Sequence, residues 1–211
     1  MTTFGLISDV HAQDELLIQA LKYFRSQQVD AILCAGDVVD GAGDANRCCD
    51  LLQEFGVLTV RGNHDRWLVT NDMRRLPDAT RKHELSTSSL DFLNALRPLH
   101  ELETSGGTLL LCHGAGRNDM NGVGRDDYGY GLEMNKEVQQ ILCENRFRFV
   151  VSGHTHRRMA RGFGALTWIN PGALVPPEVP SVATLDVARS VVQFHDYANG
   201  ILIPDGAVRT I

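Results

Sequence analysis

The sequence predicts an α/β fold, a largely parallel β-sheet with helices packed on it, and three observations carry that reading. Short apolar runs alternate with amphipathic stretches, the opening segment reads βαβαβ, and the apolar runs end in Asp, His, Asn or Gly. With 211 residues, 43% of them hydrophobic and 22% charged, the chain can bury a sizeable core and is not disordered. No linker, repeat or low-complexity tract divides it, so a single domain over 1–211 is expected.

Each element has a local reason. Phe4–Ile7 is an apolar strand, and Leu16, Leu17, Ala20, Leu21 and Phe24 then recur at helical spacing. Ala31–Cys34 is a second buried strand. Cys48, Leu51, Leu52 and Phe55 mark a second helix, and Val57–Val60 a third strand. The stretch 66–83 is basic, and Pro77 interrupts any helix there. Leu90, Leu93 and Leu96 predict a helix ending before Pro98. Leu99–Glu103 and Thr108–Cys112, joined across Gly106-Gly107, predict a hairpin. Residues 114–131 carry six glycines and read as a loop; a helix follows at about 133–145 and a strand at Arg148–Ser152. The remainder reads as short strands punctuated by prolines.

Charge and cysteines narrow the class. Twenty basic against 26 acidic residues give a net −6, so no overall field draws the chain onto a polyphosphate, and nucleic acid is not an expected partner. Five scattered cysteines suggest no disulfide framework and a reducing compartment. The opening MTTFGLISDV lacks the features of a signal peptide, and no run has the length of a membrane span. A soluble cytoplasmic protein without a membrane partner is expected.

The chemistry sits where the strands stop. Asp9-Val10-His11, Gly36-Asp37-Val38-Val39-Asp40, Gly62-Asn63-His64-Asp65, His113-Gly114 and Gly153-His154-Thr155-His156 each follow an apolar strand. Carboxyl ends of strands are where α/β sheets bind ligands. In extended chain, residues two apart face the same side, so Asp9 with His11 and His154 with His156 can each pinch a cation. Adjacent glycines let the backbone turn. Mixed Asp, His and Asn donors suit manganese, iron, zinc or cobalt rather than calcium. Seven donors exceed one ion's needs and suit a pair bridged by a carboxylate.

This ordered set, D-x-H, G-D-x-x-D, G-N-H-D, H-G and G-H-T-H with the later Asn170-Pro171-Gly172, resembles the calcineurin-like metallophosphoesterases over Phe4 to Gly172. The resemblance implies a four-layer αββα sandwich, two β-sheets packed face to face with helices outside. It implies Asp9, His11 and His156 on one metal, Asn63, His113 and His154 on the other, and Asp37 bridging. The implied cofactors are two divalent cations, manganese first, with iron, zinc, cobalt, nickel or magnesium as alternatives. The implied nucleophile is a metal-held hydroxide. By similarity, His64 contacts the phosphate or protonates the leaving oxygen, and Asp40 pairs with it as in the protein-phosphatase branch. That branch has a phosphate-gripping arginine where this chain has Gly41. The departure favours small phosphodiesters over dianionic monoesters, unless Arg66 or Arg117 binds the substrate instead. Ala173 stands where many relatives have serine.

The alternatives are a phosphomonoesterase acting on phosphoproteins or nucleotides, and a non-catalytic metal-binding scaffold of the same fold. A nuclease is disfavoured by the acidic chain. Outside the motifs, His83, His100 and His195 read as packing or surface residues and Cys112 as core. One of Cys48 and Cys49 is expected to be buried. Tyr128 and Tyr130 read equally as stacking or core residues, and 66–83 as a solvated face. The substrate's identity and the oligomeric state are not encoded in these patterns.

Overall fold

The computed structural model describes every residue of the chain except Asp205. In chain order the elements are β1 (Thr3–Ile7), α1 (Asp14–Ser26), β2 (Ala31–Cys34), α2 (Ala45–Glu54), β3 (Leu58–Thr59), α3 (Asn63–Thr70) and, after a short 3-10 turn, α4 (Thr87–Ala95). They continue with β4 (Leu99–Thr104), β5 (Gly107–Cys112), α5 (Gly129–Glu133), α6 (Lys136–Glu144) and β6 (Phe147–Val151). Six further strands end the chain: β7 (Met159–Phe163), β8 (Leu166–Asn170), β9 (Ser181–Asp186), β10 (Val191–Ala198), β11 (Ile201–Leu202) and β12 (Val208–Thr210).

Two sheets result. One runs β11-β10-β9-β1-β2-β3, with β12 pairing β10; the other runs β4-β5-β6-β8-β7. The expected largely parallel sheet is therefore mixed. β1, β2 and β3 are parallel, while β9 and β10 join antiparallel on the far side of β1. In the second sheet β5, β6 and β8 are parallel and both edges are antiparallel. Two flanking pairs, β4–β5 and β7–β8, are hairpins, and the first lies where Gly106-Gly107 predicted it.

Period-two alternation builds the layers. Phe4 and Leu6 of β1, Leu33 of β2, Leu109 and Leu111 of β5, and Phe149 and Val151 of β6 pack between the sheets. The opposite faces, Ile7 and Cys34 on one sheet and Leu110, Cys112 and Val150 on the other, meet the helices. α1 covers the first sheet with Leu17, Ala20, Leu21 and Phe24. A Cβ at Gly5 would lie 2.5 Å from the Phe24 ring, so the glycine admits that helix. α6 covers the second sheet with Val138 and Ile141. Caps fix the helix starts: Asp44 accepts from Arg47 N–H at 3.0 Å and Ser86 from Ser89 N–H at 3.1 Å, each cap being worth about 1 kcal/mol.

Several expectations are refined. Cys48 and Cys49 are both buried, because α2 packs against α1 on one side and α4 on the other. Tyr128 and Tyr130 are exposed and anchor no core. Cys112 is core, as read from the strand alternation. Among the described residues no helix is long and apolar enough to cross a membrane.

Candidate metal centre

Loops following β1, β2, β5 and β6, with the start of α3, converge at one end of the sandwich. Asp9, His11, Asp37 and His156 each offer a ligand atom, all within 4.8 Å of one another. Beside them His113 Nε2 lies 3.2 Å from Asp37 Oδ2 and 2.9 Å from Asn63 Oδ1. His154 Nδ1 is 3.1 Å from the same Asn63 oxygen. Asp37 Oδ2 is also 3.8 Å from His11 Nε2, so one carboxylate faces both groups. All seven predicted donors are thus brought together.

The other ring nitrogens are tied back, which orients the imidazoles. His113 Nδ1 donates to Ala35 O at 2.6 Å and His11 Nδ1 to Asp40 O at 2.9 Å, leaving both Nε2 atoms facing the cluster. Such backing holds a histidine in one tautomer and orientation.

The local geometry differs from the extended-chain expectation. Asp9, His11, Asp37, His154 and His156 all have left-handed backbone, with φ of 50°, 46°, 54°, 66° and 59°. The pairs converge because tight turns wrap both residues round a point, and not because a strand presents them on one face. This conformation is unfavourable for side-chain-bearing residues, and it recurs where function over-determines it. The glycines serve close approach instead. A Cβ at Gly62 would strike the Asp37 carboxylate, and one at Gly153 would sit 2.5 Å from Asp9 Oδ2.

Four residues outside the predicted set hold the loops. Asp65 is buried and accepts N–H groups of Asp37 (2.9 Å), Val38 (2.8 Å), Val39 (3.3 Å) and Gly62 (2.9 Å), so one carboxylate fixes two ligand loops. Burial and the neighbouring Asp37 charge push its pKa up to about 6. Asn170 Nδ2 donates to Gly153 O at 2.7 Å and props the His154–His156 turn, which gives the Asn170-Pro171-Gly172 segment its structural reason. Arg74, from the stretch expected to be solvated, is half-buried and grips Asp40 with two nitrogens at 2.7 and 2.8 Å. Thr80 N–H adds a further bond to Asp40 at 2.9 Å. Asp65 stands at the third position of α3, a helix-start signal the sequence reading passed over; Arg74 and Thr80 carry no local signal.

His64 and Asp40 form the predicted pair, with His64 Nδ1 2.8 Å from Asp40 Oδ2. Burial alone would lower the imidazole's pKa, but Asp40 and the nearby Asp37 outweigh it and hold it above the ordinary histidine value. Its ring also packs on Trp67 at 4.7 Å between centroids. Neither candidate substrate arginine bonds to the seven donors among the described residues. Arg66 is locked to Asp119 by bonds of 2.6 and 2.8 Å. Arg117 is exposed beside a cavity of about 640 Å³, none of whose lining residues is among the seven donors.

The electrostatics fit divalent cations. Asp9 Oδ2 is buried without a hydrogen-bond partner among the described residues, which is costly for a carboxylate unless a cation meets it. Burial raises the Asp9 carboxyl, His113 opposes, and Asp37 adds to the rise. Burial also works against the Asp37 anion, but His113 and His11 outweigh it and bring that carboxyl below its usual range. His113 is correspondingly raised: burial opposes its charge and Asp37 overcomes that. A proton held on His113 beside Asp37 would have to leave for a cation to bind there. Metal affinity is expected to climb as pH rises through neutrality, about tenfold per unit for one displaced proton. Calorimetry of manganese binding in two buffers of different protonation enthalpy reads that release; identical heats would show His113 to be neutral already.

Comparison with known proteins agrees with this geometry. Residues 2–190 match the family model described as the calcineurin-like phosphoesterase superfamily domain. The uncharacterized protein MJ0912 of Methanocaldococcus jannaschii is 26% identical over 116 residues, which are 52% of this chain and 48% of that protein. The match thus spans about half the length of that curated relative. Among solved structures, a metallophosphoesterase from Sphaerobacter thermophilus has a TM-score of 0.69 and 21% identity, over 93% of this chain and 88% of that one. An archaeal phosphodiesterase has a TM-score of 0.59 and 16% identity, over 92% and 99%. At these identities the structures bear on the fold alone.

Proposed function

The chain belongs to the calcineurin-like phosphoesterase superfamily, and from that premise we propose a two-cation enzyme that hydrolyses small phosphodiesters. Asp9, His11 and His156 would hold one cation, Asn63, His113 and His154 the other, with Asp37 between them. Divalent cations there would provide a nucleophilic oxygen at neutral pH and neutralise charge on the phosphoryl oxygens; manganese is the first choice.

The observation that carries the diester preference is the fate of the arginines. Position 41 is glycine, while Arg66 and Arg74 are each clamped by two hydrogen bonds to a carboxylate. At these three positions a dianionic monoester would find no free bidentate guanidinium for its second charge, and a singly charged diester would need none.

The protein's own groups then handle the proton. Asp40, gripped by Arg74, accepts from His64 Nδ1, and among the described residues the ring's Nε2 makes no hydrogen bond to a carboxylate, so it is the nitrogen left for the substrate. From there His64 would donate a proton to the leaving oxygen. Because its pKa lies above the ordinary value, the acid form extends to higher pH than in a free imidazole, and the rate should fall as pH rises past that pKa.

The test compares hydrolysis of bis-p-nitrophenyl phosphate and p-nitrophenyl phosphate by manganese-loaded protein. Faster diester cleavage is expected; faster monoester cleavage would overturn the diester reading. His64→Ala should retain both metals and lose roughly a hundredfold in kcat. Loss of metal in that variant would make His64 a ligand or its support rather than an acid.

A further inference from the structure

We propose that the cavity beside His156 receives a second anionic group of the substrate, so that the preferred substrates are phosphoesters carrying another phosphate beyond the scissile one. This deepens the phosphoesterase reading and rests on it. The cavity, about 360 Å³, is lined by Arg125, His156, Arg157, Arg158, Glu178 and Val179. One wall is therefore a predicted metal ligand, and three of the other lining residues are arginines. The lining thus carries three guanidiniums against the single carboxylate of Glu178, next to a predicted metal ligand.

The chain itself fixes the proximity. Arg157 and Arg158 follow His156 directly, and successive Cα atoms lie about 3.8 Å apart, so an anion on these side chains stays within a small molecule's length of the metal centre. The guanidinium groups are only partly engaged. Arg157 donates through Nε to Glu178 at 3.0 Å, and among the described residues its two terminal nitrogens make no hydrogen bond. Its nearest other carboxylate oxygen, on Asp126, is 3.9 Å away. Arg125 makes no hydrogen bond among the described residues and approaches Asp126 only to 3.7 Å. Arg158 is paired with Asp196 of β10 and lines another side of the cavity. Exposed pairs of this kind hold weakly, whereas a phosphate offers a guanidinium two parallel bonds, so an incoming phosphate displaces Glu178 and Asp126.

This geometry separates two roles for positive charge. The cations would hold the scissile group, and Arg125 and Arg157 the remote one. The arrangement reconciles the clamped Arg66 and Arg74 with a protein that still has guanidinium donors to offer.

The experiment measures binding of thymidine 3′,5′-bisphosphate and thymidine 5′-monophosphate to manganese-loaded protein by calorimetry. It uses the wild type, Arg125→Ala/Arg157→Ala and Glu178→Gln. The wild type should bind the bisphosphate at least about tenfold more tightly, and the preference should fade as salt is raised. It should fall towards unity in the double variant and grow in Glu178→Gln, where the competing carboxylate is gone. Equal affinity in the wild type overturns the proposal. So does an equal loss for both ligands in the double variant, because the arginines would then act on the phosphate common to both. Turnover of bis-p-nitrophenyl phosphate by the same wild-type sample separates the two readings. Its absence would remove the hydrolytic assignment, while the bisphosphate preference would stand or fall by the calorimetry.

Discussion

Replacing Asp37 by asparagine is expected to cut kcat/KM for phosphodiesters at least a thousandfold and to empty the metal centre. The side chain is buried between the two histidine groups, with Oδ2 3.2 Å from His113 Nε2 and 3.8 Å from His11 Nε2. Asparagine keeps its shape, and its carbonyl can still accept from His64 N–H, which now reaches Asp37 Oδ1 at 2.8 Å. The fold should therefore persist. What disappears is the negative charge that the two proposed sites would share, and an amide donor replaces one oxygen that would face the cations. A thousandfold loss corresponds to about 4 kcal/mol of transition-state stabilisation, a reasonable share for a bridging ligand. Metal content by mass spectrometry and steady-state turnover decide the matter. A variant keeping two metals and more than about a tenth of the rate would remove Asp37 from the bridging role.

The second large effect is thermal. Asp9, His11, Asp37 and Asn63 follow strands of the first sheet, and His113, His154 and His156 follow strands of the second. An ion held by this set ties the two sheets together and binds the folded state alone. At a hundredfold excess over its Kd, one bound ion adds about 2.7 kcal/mol. For a chain of this size each kcal/mol is worth roughly 2–4 °C, so each occupied site should raise the Tm by roughly 5–10 °C. Unfolding followed in chelator and then in manganese measures the shift. If metal binds, by direct assay, yet the Tm stays put, the ligands are not organised across the two sheets.

The layers and the donor set were legible in the sequence for one physical reason. Buried parallel strands are continuous apolar runs, and the Asp, His, Asn and Gly that end them are conspicuous against that background. Where the reading fell short, the cause was distance along the chain or local geometry. Asn63-His64-Asp65 reads as a ligand loop, and its chemistry masked the fact that it is the first turn of α3. Arg74 meets Asp40 across 34 residues, and Asp65 meets Asp37 across 28, separations at which periodicity carries no information. Composition made 66–83 look solvated because an arginine's partner is invisible until the chain is folded. The antiparallel strands β9 and β10 were read only as short strands, since nothing in their pattern says which edge they join.

The left-handed backbone at five of the seven donors has a consequence for how such a protein changes over time. At each of those positions glycine would relax the chain, by roughly 1 kcal/mol or more, while deleting the donor. Stability and chemistry therefore pull on the same residues in opposite directions. A lineage without the ion forgoes the stabilisation that the bound state provides, and glycine at these turns would recover only part of it. Keeping Asp and His at these turns therefore costs the ion-free chain stability that only a bound ion would return.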